Sequence, residues 1–317
     1  MILFCGIPSE PPLRLAIEAA GEAGVPHLVF NQREAQFSDL CFDVEAGAVR
    51  GTLRYREADY PLEGFSGVYT RLTDWRTLPE SRPVRGAAPE PERLERSRLV
   101  HEAFGEWMEL APCRVLNRAR AMASNSSKPY QAQIIARSSF LVPSTLVTND
   151  PEMAREFARE HGRVIYKSVS SVRSIVRELE PADLDRLDRV GDLPTQFQAF
   201  IPGTNIRVHV VGEAVFATRV ETDSVDYRYA SREGREVRMS AAELPPEVRG
   251  GCLELSRQLD LPLCGIDLKV TPGGEHYCFE VNPSPAYSYY EESTGQPISR
   301  AVVAHLAERE SSKECAR

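Results

Sequence analysis

The stretch from 264 to 285, CGIDLKVTPGGEHYCFEVNPSP, constrains the fold more than any other part of the chain. Two apolar, β-branched runs flank a PGG turn, which is the pattern of an antiparallel hairpin with one face in a core. Yet the runs carry Asp267, Glu280 and Asn282, groups that a core-facing position rejects unless they are paired. In a regular strand residues two apart share a face, so Glu280 and Asn282 should project together with Cys278, while Phe279 and Val281 turn the other way. Pro283 and Pro285 should end the strand. A hairpin closed at PGG brings Asp267 near the level of Glu280 and Asn282. Two carboxylates and an amide oxygen at one spot are hard ligands suited to magnesium, with manganese as the alternative. The other reading is that they are solvated on an open sheet face or paired with arginines.

Composition limits the setting of that hairpin. The chain has 317 residues, 42% of them hydrophobic, enough for two or three compact units. With 38 basic against 46 acidic residues the net charge is −8, so no global field favours nucleic acid or an anionic membrane as partner. The apolar run at 1–7 is short, lacks a basic leader and reads as a buried strand, and no segment approaches the roughly 20 apolar residues of a membrane span. None of the seven cysteines sits two residues from another, which argues against a disulfide framework or a paired-cysteine zinc site and for a reduced, cytoplasmic protein. Lysines are scarce: Lys128, Lys167, Lys269 and Lys313 are the only four, the other basic residues being arginines. An internal ammonium therefore stands out, because it is not interchangeable with a guanidinium.

The order of elements is α/β at the start and strand-rich at the end. MILFCGI, the amphipathic segment ending at Gly24, and HLVF read as a βαβ-like unit. A hairpin is expected to turn near Ala46 and Gly47, with a buried strand at GVYTRL. A Pro-rich link then leads to a helix from about Glu92 to Leu110. A helix over 128–137, another through Ala158 and the strand RVIYKSV form a small mixed unit. TQFQAFI, NIRVHVVG and EAVFATRV follow as strands, then a helix near 247–259, the opening hairpin, a last amphipathic helix and a charged tail. On NIRVHVVG, Arg207 and His209 should share one face, opposite Val208 and Val210, with Arg228 following soon after in a loop. Two arginines beside a metal-bound phosphate would neutralise the charge that develops in phosphoryl transfer. They are otherwise surface cations, and His209 otherwise a satisfied core histidine.

From about Arg118 to Leu306 the chain resembles the ATP-grasp superfamily, and within it the RimK-like carboxylate–amine ligases and the ligases that cross-link peptides into graspetides. The resemblance is carried by SKPYQAQIIARSSFLVPSTLVT, RVIYKSV, IPGTNIRVHVVG, GIDLKVTPGGEHYCFEVNPSP and TGQPISRAVVAHL, in that order. It implies an α/β (α+β) ATP-grasp fold with a Rossmann-like pre-ATP-grasp domain at 1–117, a small lid subdomain at 118–195 and a catalytic subdomain at 196–317. It also implies that Lys128 and Lys167 touch the nucleotide. The segment Gln198, Ala199, Phe200 and Ile201 would read the adenine edge, and Asn205 the ribose. Asp267, Glu280 and Asn282 would hold magnesium, and Arg207 and Arg228, with His209, would act on the transferred phosphoryl group. The implied cofactors are ATP and Mg2+. The implied reaction joins a small-molecule or peptide carboxylate to an amine through an acyl phosphate, releasing ADP, in a protein that forms a homodimer if it assembles at all. A kinase-like phosphotransferase and a non-catalytic nucleotide-binding module are the alternatives. Where the family has a glycine-rich lid, KSVSSVRSIV has serines and Arg173. Arg71 and Trp75 in TRLTDW, and Ser284 with PAYSYY, are the segments where substrate choice is expected to lie.

Overall fold

The computed structural model describes residues 1–82, 90–169, 176–222 and 236–308. The βαβ-like opening becomes a parallel sheet. β1 (Ile2–Gly6) and β2 (His27–Asn31) flank a helix at Pro11–Glu22, whose prolines occupy the first turn and whose Leu13, Ala16, Ala19 and Ala20 are buried. β3 (Ser38–Glu45), β4 (Ala48–Tyr55) and β5 (Ala58–Pro61) form a separate antiparallel meander that turns at Ala46 and Gly47. β6 (Gly67–Thr70) and β7 (Arg114–Leu116) return to the first sheet, giving the order β2-β1-β6-β7. The helix at Pro91–Leu110 packs Phe104 and Trp107 into a core with Phe30, Leu53 and Val68.

The second half holds two antiparallel sheets. β8 (Thr145–Thr148), β9 (Val164–Ser168), β10 (Arg177–Glu178) and β11 (Thr195–Ala199) are ordered β10-β9-β11-β8. β12 (Thr204–Val211), β13 (Ala214–Glu221), β14 (Arg238–Ala242), β15 (Leu263–Val270) and β16 (His276–Asn282) are ordered β14-β13-β12-β15-β16. On one face of this sheet Val208, Val210, Ile266 and Val281 bury against the helix at Pro246–Gln258, at about 1.5–3 kcal/mol per fully buried side chain. The last helix, Ile298–Ala307, inserts Val302 and Leu306 among Ile2, Tyr69, Leu116, Val211 and Leu263, so one apolar cluster joins the parallel sheet to the five-stranded one. No helix among the described residues is long and apolar enough to cross a membrane.

The PAYSYY segment leads into a helix, Ser288–Thr294. One feature departs from the sequence reading: the hairpin alternation breaks at a β-bulge, where Asp267 pairs with Glu280 but Leu268 pairs with Cys278, leaving Phe279 as the extra residue. A bulge reverses the faces on one side of it. Cys278 therefore joins Val281 in the core, and Phe279 turns out beside Glu280. The expected grouping of Cys278 with Glu280, and of Phe279 with Val281, is corrected accordingly.

Candidate active site

β16 is an edge strand, and its outer backbone groups are closed off by other parts of the chain rather than left to solvent. Gln131 clamps Val281 from both sides, donating to its carbonyl (2.8 Å) and accepting from its amide (2.9 Å). Leu141 donates to the His276 carbonyl (3.0 Å) and accepts from the Cys278 amide (2.8 Å). Buried Asn117 donates to the carbonyls of Leu263 and Pro283, both at 2.6 Å, and so ties the ends of the hairpin together. The acidic positions are thus mounted on a strand pair fixed along both edges.

Register then pairs the charges. Arg207 on β12 lies opposite Asp267 on β15, which lies opposite Glu280 on β16. Arg207 Nη1 donates to Asp267 Oδ1 at 2.7 Å, and the Arg207 side chain is only 7% exposed. Its guanidinium lies over Gly265, where any Cβ would collide with it, so the glycine is required by the arginine's position. Lys128, at the start of the helix Lys128–Ile135, makes an ion pair with Glu280 and donates to Asn125 Oδ1 at 3.1 Å. Both carboxylates are therefore neutralised by cations in this structure, as the arginine-pairing alternative anticipated for one of them. Asn282 stands two pairs further along, opposite Gly265, its Oδ1 accepting from the Ser284 amide at 2.9 Å.

Glu280 and Asp267 lie at the wall of a cleft of about 790 Å³ between the two antiparallel sheets. The same cleft is lined by Lys167 and Ile165 from β9, by Gln198, Phe200 and Ile201, and by Asn205, Lys269 and Phe279. Seven of the sequence-derived positions thus share one cavity: Lys167, Gln198, Phe200, Ile201, Asn205, Asp267 and Glu280. Gln198 Nε2 donates to Thr145 Oγ1 at 3.0 Å, while its Oε1 is buried without a partner. An orphaned acceptor in a cleft wall is costly unless a ligand donor meets it. The Ala199 and Phe200 amides are already bound by the carbonyls of Ser144 and Arg163, each at 2.9 Å.

The remaining expected positions fall elsewhere. His209 is wholly buried behind Arg207, its ring 4.8 Å from that of Tyr290, and neither ring nitrogen has a hydrogen-bond partner. Burial, reinforced by the Arg207 charge, holds its pKa well below the ordinary imidazole value. Arg228, Arg173 and the centre of the serine-rich lid lie outside the described residues. Trp75 is stacked with Arg76 at 5.3 Å, whereas Arg71 lines a second cavity with Ser284.

Lys269 and Phe279 were not singled out from sequence. Lys269 Nζ sits 5.2 Å from the Phe200 ring and 5.7 Å from the Phe279 ring, and Arg163 lies 3.6 Å over Phe200. Burial, and then the Arg163 charge, lowers the Lys269 pKa. Its rarity and its position two residues from Asp267 were a usable signal. Phe279 gave none, because only the bulge exposes it.

Two carboxylates, one meeting an arginine across an antiparallel register and the other a lysine from a helix, would suit a divalent ion with bound phosphates, since the guanidinium and ammonium could then pair with phosphate oxygens instead. Among the described residues no cluster of three His, Cys, Asp or Glu side chains converges. Comparison with known proteins agrees with the geometry. A family model described as the RimK-like ATP-grasp domain matches residues 125–306. A probable alpha-L-glutamate ligase of Alkalilimnicola ehrlichii is 25% identical over 60% of this chain and 66% of its own length, and one of Cellvibrio japonicus is 25% identical over 61% and 67%. The match thus spans about two thirds of those relatives. Among solved structures, the ATP-grasp ligase PsnB complexed with a phosphomimetic variant of minimal precursor, Mg and ADP has a TM-score of 0.75 at 26% identity, covering 96% of this chain and 97% of its own. The macrocyclase MdnC from Microcystis aeruginosa, bound with precursor peptide MdnA, shares the fold at a TM-score of 0.77 and 21% identity, covering 97% and 100%.

Proposed function

The chain belongs to the RimK-like ATP-grasp family, and from that membership we propose that it is an ATP-dependent carboxylate–amine ligase that forms an amide or peptide bond on an amino acid or peptide. The single observation that carries the reading is the convergence of Lys167, Gln198, Asn205, Asp267 and Glu280, from five separate strands, on one cleft. The division into 1–117, 118–195 and 196–317 is proposed with it, the nucleotide lying between the second and third parts.

In this reading the base enters between Ile165, Phe200 and Ile201. The orphaned Gln198 Oε1 accepts from its exocyclic amine. Because the Ala199 and Phe200 amides are engaged, the backbone donor falls to Ile201. Asn205 faces the ribose, and Lys167, Lys128 and Lys269 supply cations to the phosphates. Asp267 and Glu280, with Asn282, would hold Mg2+, which when bound neutralises phosphate charge. Arg207 and Arg228 are assigned to the phosphoryl group as charge develops on it. His209, buried and without a hydrogen-bond partner, is given no catalytic step in this reading.

The chemistry needs an activated acid, because a free carboxylate is a poor electrophile. A substrate carboxylate oxygen attacks the γ-phosphorus, the bond to the β,γ-bridging oxygen breaks, and ADP leaves. The amine nitrogen then attacks the acyl carbon, inorganic phosphate leaves with the carboxylate oxygen, and the nitrogen gives up a proton. The test uses hydroxylamine as a surrogate amine, with ATP, Mg2+ and a panel of L-glutamate and short acidic peptides. Hydroxamate formed with stoichiometric ADP is the expected result. A stable phosphorylated product instead marks a phosphotransferase, and nucleotide binding without turnover on any acid marks a binding module.

A further inference from the structure

The cleft is not the only built cavity. A second, of about 1100 Å³, opens at the carboxyl ends of β1 and β6 in the parallel sheet, lined by Glu10, Arg71, Thr73, Thr77 and Ser284 among others. In the order β2-β1-β6-β7 the chain leaves β1 toward β2 on one side and leaves β6 toward β7 on the other. The two strands therefore diverge at a topological switch point, the place where open parallel sheets bind ligands. The crevice walls come close at its base. Gly6 has φ of 151°, and a Cβ there would stand 2.9 Å from the Arg71 carbonyl oxygen, so only glycine lets the two strand ends approach.

One partly buried ion pair occupies the crevice. The Arg71 side chain is 10% exposed and that of Glu10 is 31% exposed. Arg71 Nε donates to both Glu10 oxygens (3.1 and 3.0 Å), and Nη2 donates to Oε1. Nη1 is turned away, to Ser284 Oγ at 2.7 Å and the Pro285 carbonyl at 3.3 Å. Ser284 in turn donates its amide to Asn282 Oδ1. Two hydrogen bonds thus connect the crevice to the acidic end of the β15–β16 hairpin. The guanidinium is engaged along most of its edge. The carboxylate is not: it has about four acceptor positions, more than one arginine fills, and its exposed side faces a cavity bordered by hydroxyls.

An acceptor whose charge is already compensated, aimed into a pocket with Thr73, Thr77 and Ser284, suits a ligand that brings N–H donors. We propose that this crevice docks the amine co-substrate, a primary amine whose N–H groups are accepted by Glu10 while Arg71 fixes the carboxylate against Ser284. The proposal rests on the ligase reading, since only a ligase of this kind has an amine to seat beside the hairpin's acidic end.

The test uses the full chain and separates the two claims. Binding of ADP with Mg2+ is measured by calorimetry. Binding of free L-amino acids and dipeptides is then compared with binding of their N-acetyl counterparts, with and without the nucleotide. At least one free amine should bind tenfold or more tightly than its N-acetyl form, and Glu10→Gln should remove that preference while the ADP affinity stays within twofold. Circular dichroism checks that the variant is folded, and Glu10→Asp, which keeps the charge but retracts it, should weaken the preference without abolishing it. Equal binding of free and acetylated forms, retention of the preference in Glu10→Gln, or no amine binding alongside intact ADP binding overturns the proposal. Failure of ADP itself to bind counts against the ligase reading, and the amine preference is still read without nucleotide.

Discussion

The cleft between the antiparallel sheets and the switch-point crevice both hold an arginine bound to a carboxylate, yet the chain builds the two pairs by different means. In the cleft, Arg207 and Asp267 sit directly across an antiparallel register, and Gly265 leaves room for the guanidinium to lie flat. In the crevice, Arg71 and Glu10 come from loops that follow parallel strands, and nothing in their spacing announces the pairing. Strand register places the first pair to within a hydrogen bond and buries it. Topology places the second, which stays partly open. Removing the carboxylate should therefore cost more in the cleft than in the crevice.

Asp267→Asn is the strongest way to break the comparison. It strands a buried guanidinium and weakens the metal set, so we expect a loss of about 3 kcal/mol in denaturant unfolding, together with at least a 100-fold fall in turnover on the order of one lost charged catalytic contact. Gly265→Ala leaves every charge in place but forces Arg207 to move, at about 2 kcal/mol of overpacking by the same unfolding measurement. Glu10→Gln should cost only about 1 kcal/mol, because its partner keeps Ser284 and the Pro285 carbonyl. A cost for Glu10→Gln matching that of Asp267→Asn would erase the distinction between the two sites.

Much of the cleft was legible because antiparallel strands express their faces every second residue. Asp267 and Glu280 could be aligned from the PGG turn, and Lys128 and Lys167 stood out in a chain almost without lysine. The bulge at Phe279 was not legible, since one inserted residue leaves no compositional trace and reverses the faces beyond it. Gln131 and Asn117 were also missed: side-chain amides that close a strand edge look like any other polar residue until the fold brings the edge to them. The βαβ-like beginning was readable, but its switch point was not, because strand order is set by tertiary packing rather than by local pattern.

Two smaller effects sharpen the picture. Lys269→Met should weaken ADP binding about fivefold, or about 1 kcal/mol, in calorimetry. Its ammonium deprotonates below the ordinary lysine value of 10.5. Its contribution to ADP affinity should therefore fade as pH rises toward that value, with a sharper alkaline decline in the parent than in the variant. His209→Leu should change stability least, within about 1 kcal/mol, because it removes two unpartnered ring nitrogens. His209 has a depressed folded pKa, so below its unfolded value of about 6.5 the unfolded chain binds more protons and stability falls with falling pH. That acid limb should shrink in His209→Leu, with turnover retained per folded molecule. Loss of turnover in a folded variant would instead give the imidazole a direct catalytic role.

The central claim is that Asp267 and Glu280 hold a metal that ties nucleotide phosphates to the β15–β16 hairpin. Titration of ADP into the protein and into Glu280→Gln, each with and without Mg2+, tests it most directly. With Mg2+ the parent should bind ADP at least tenfold more tightly than without it. Glu280→Gln should lose that gain while binding metal-free ADP as well as the parent or better, because Lys128 is released from its ion pair. An undiminished Mg2+ gain in Glu280→Gln would contradict the account.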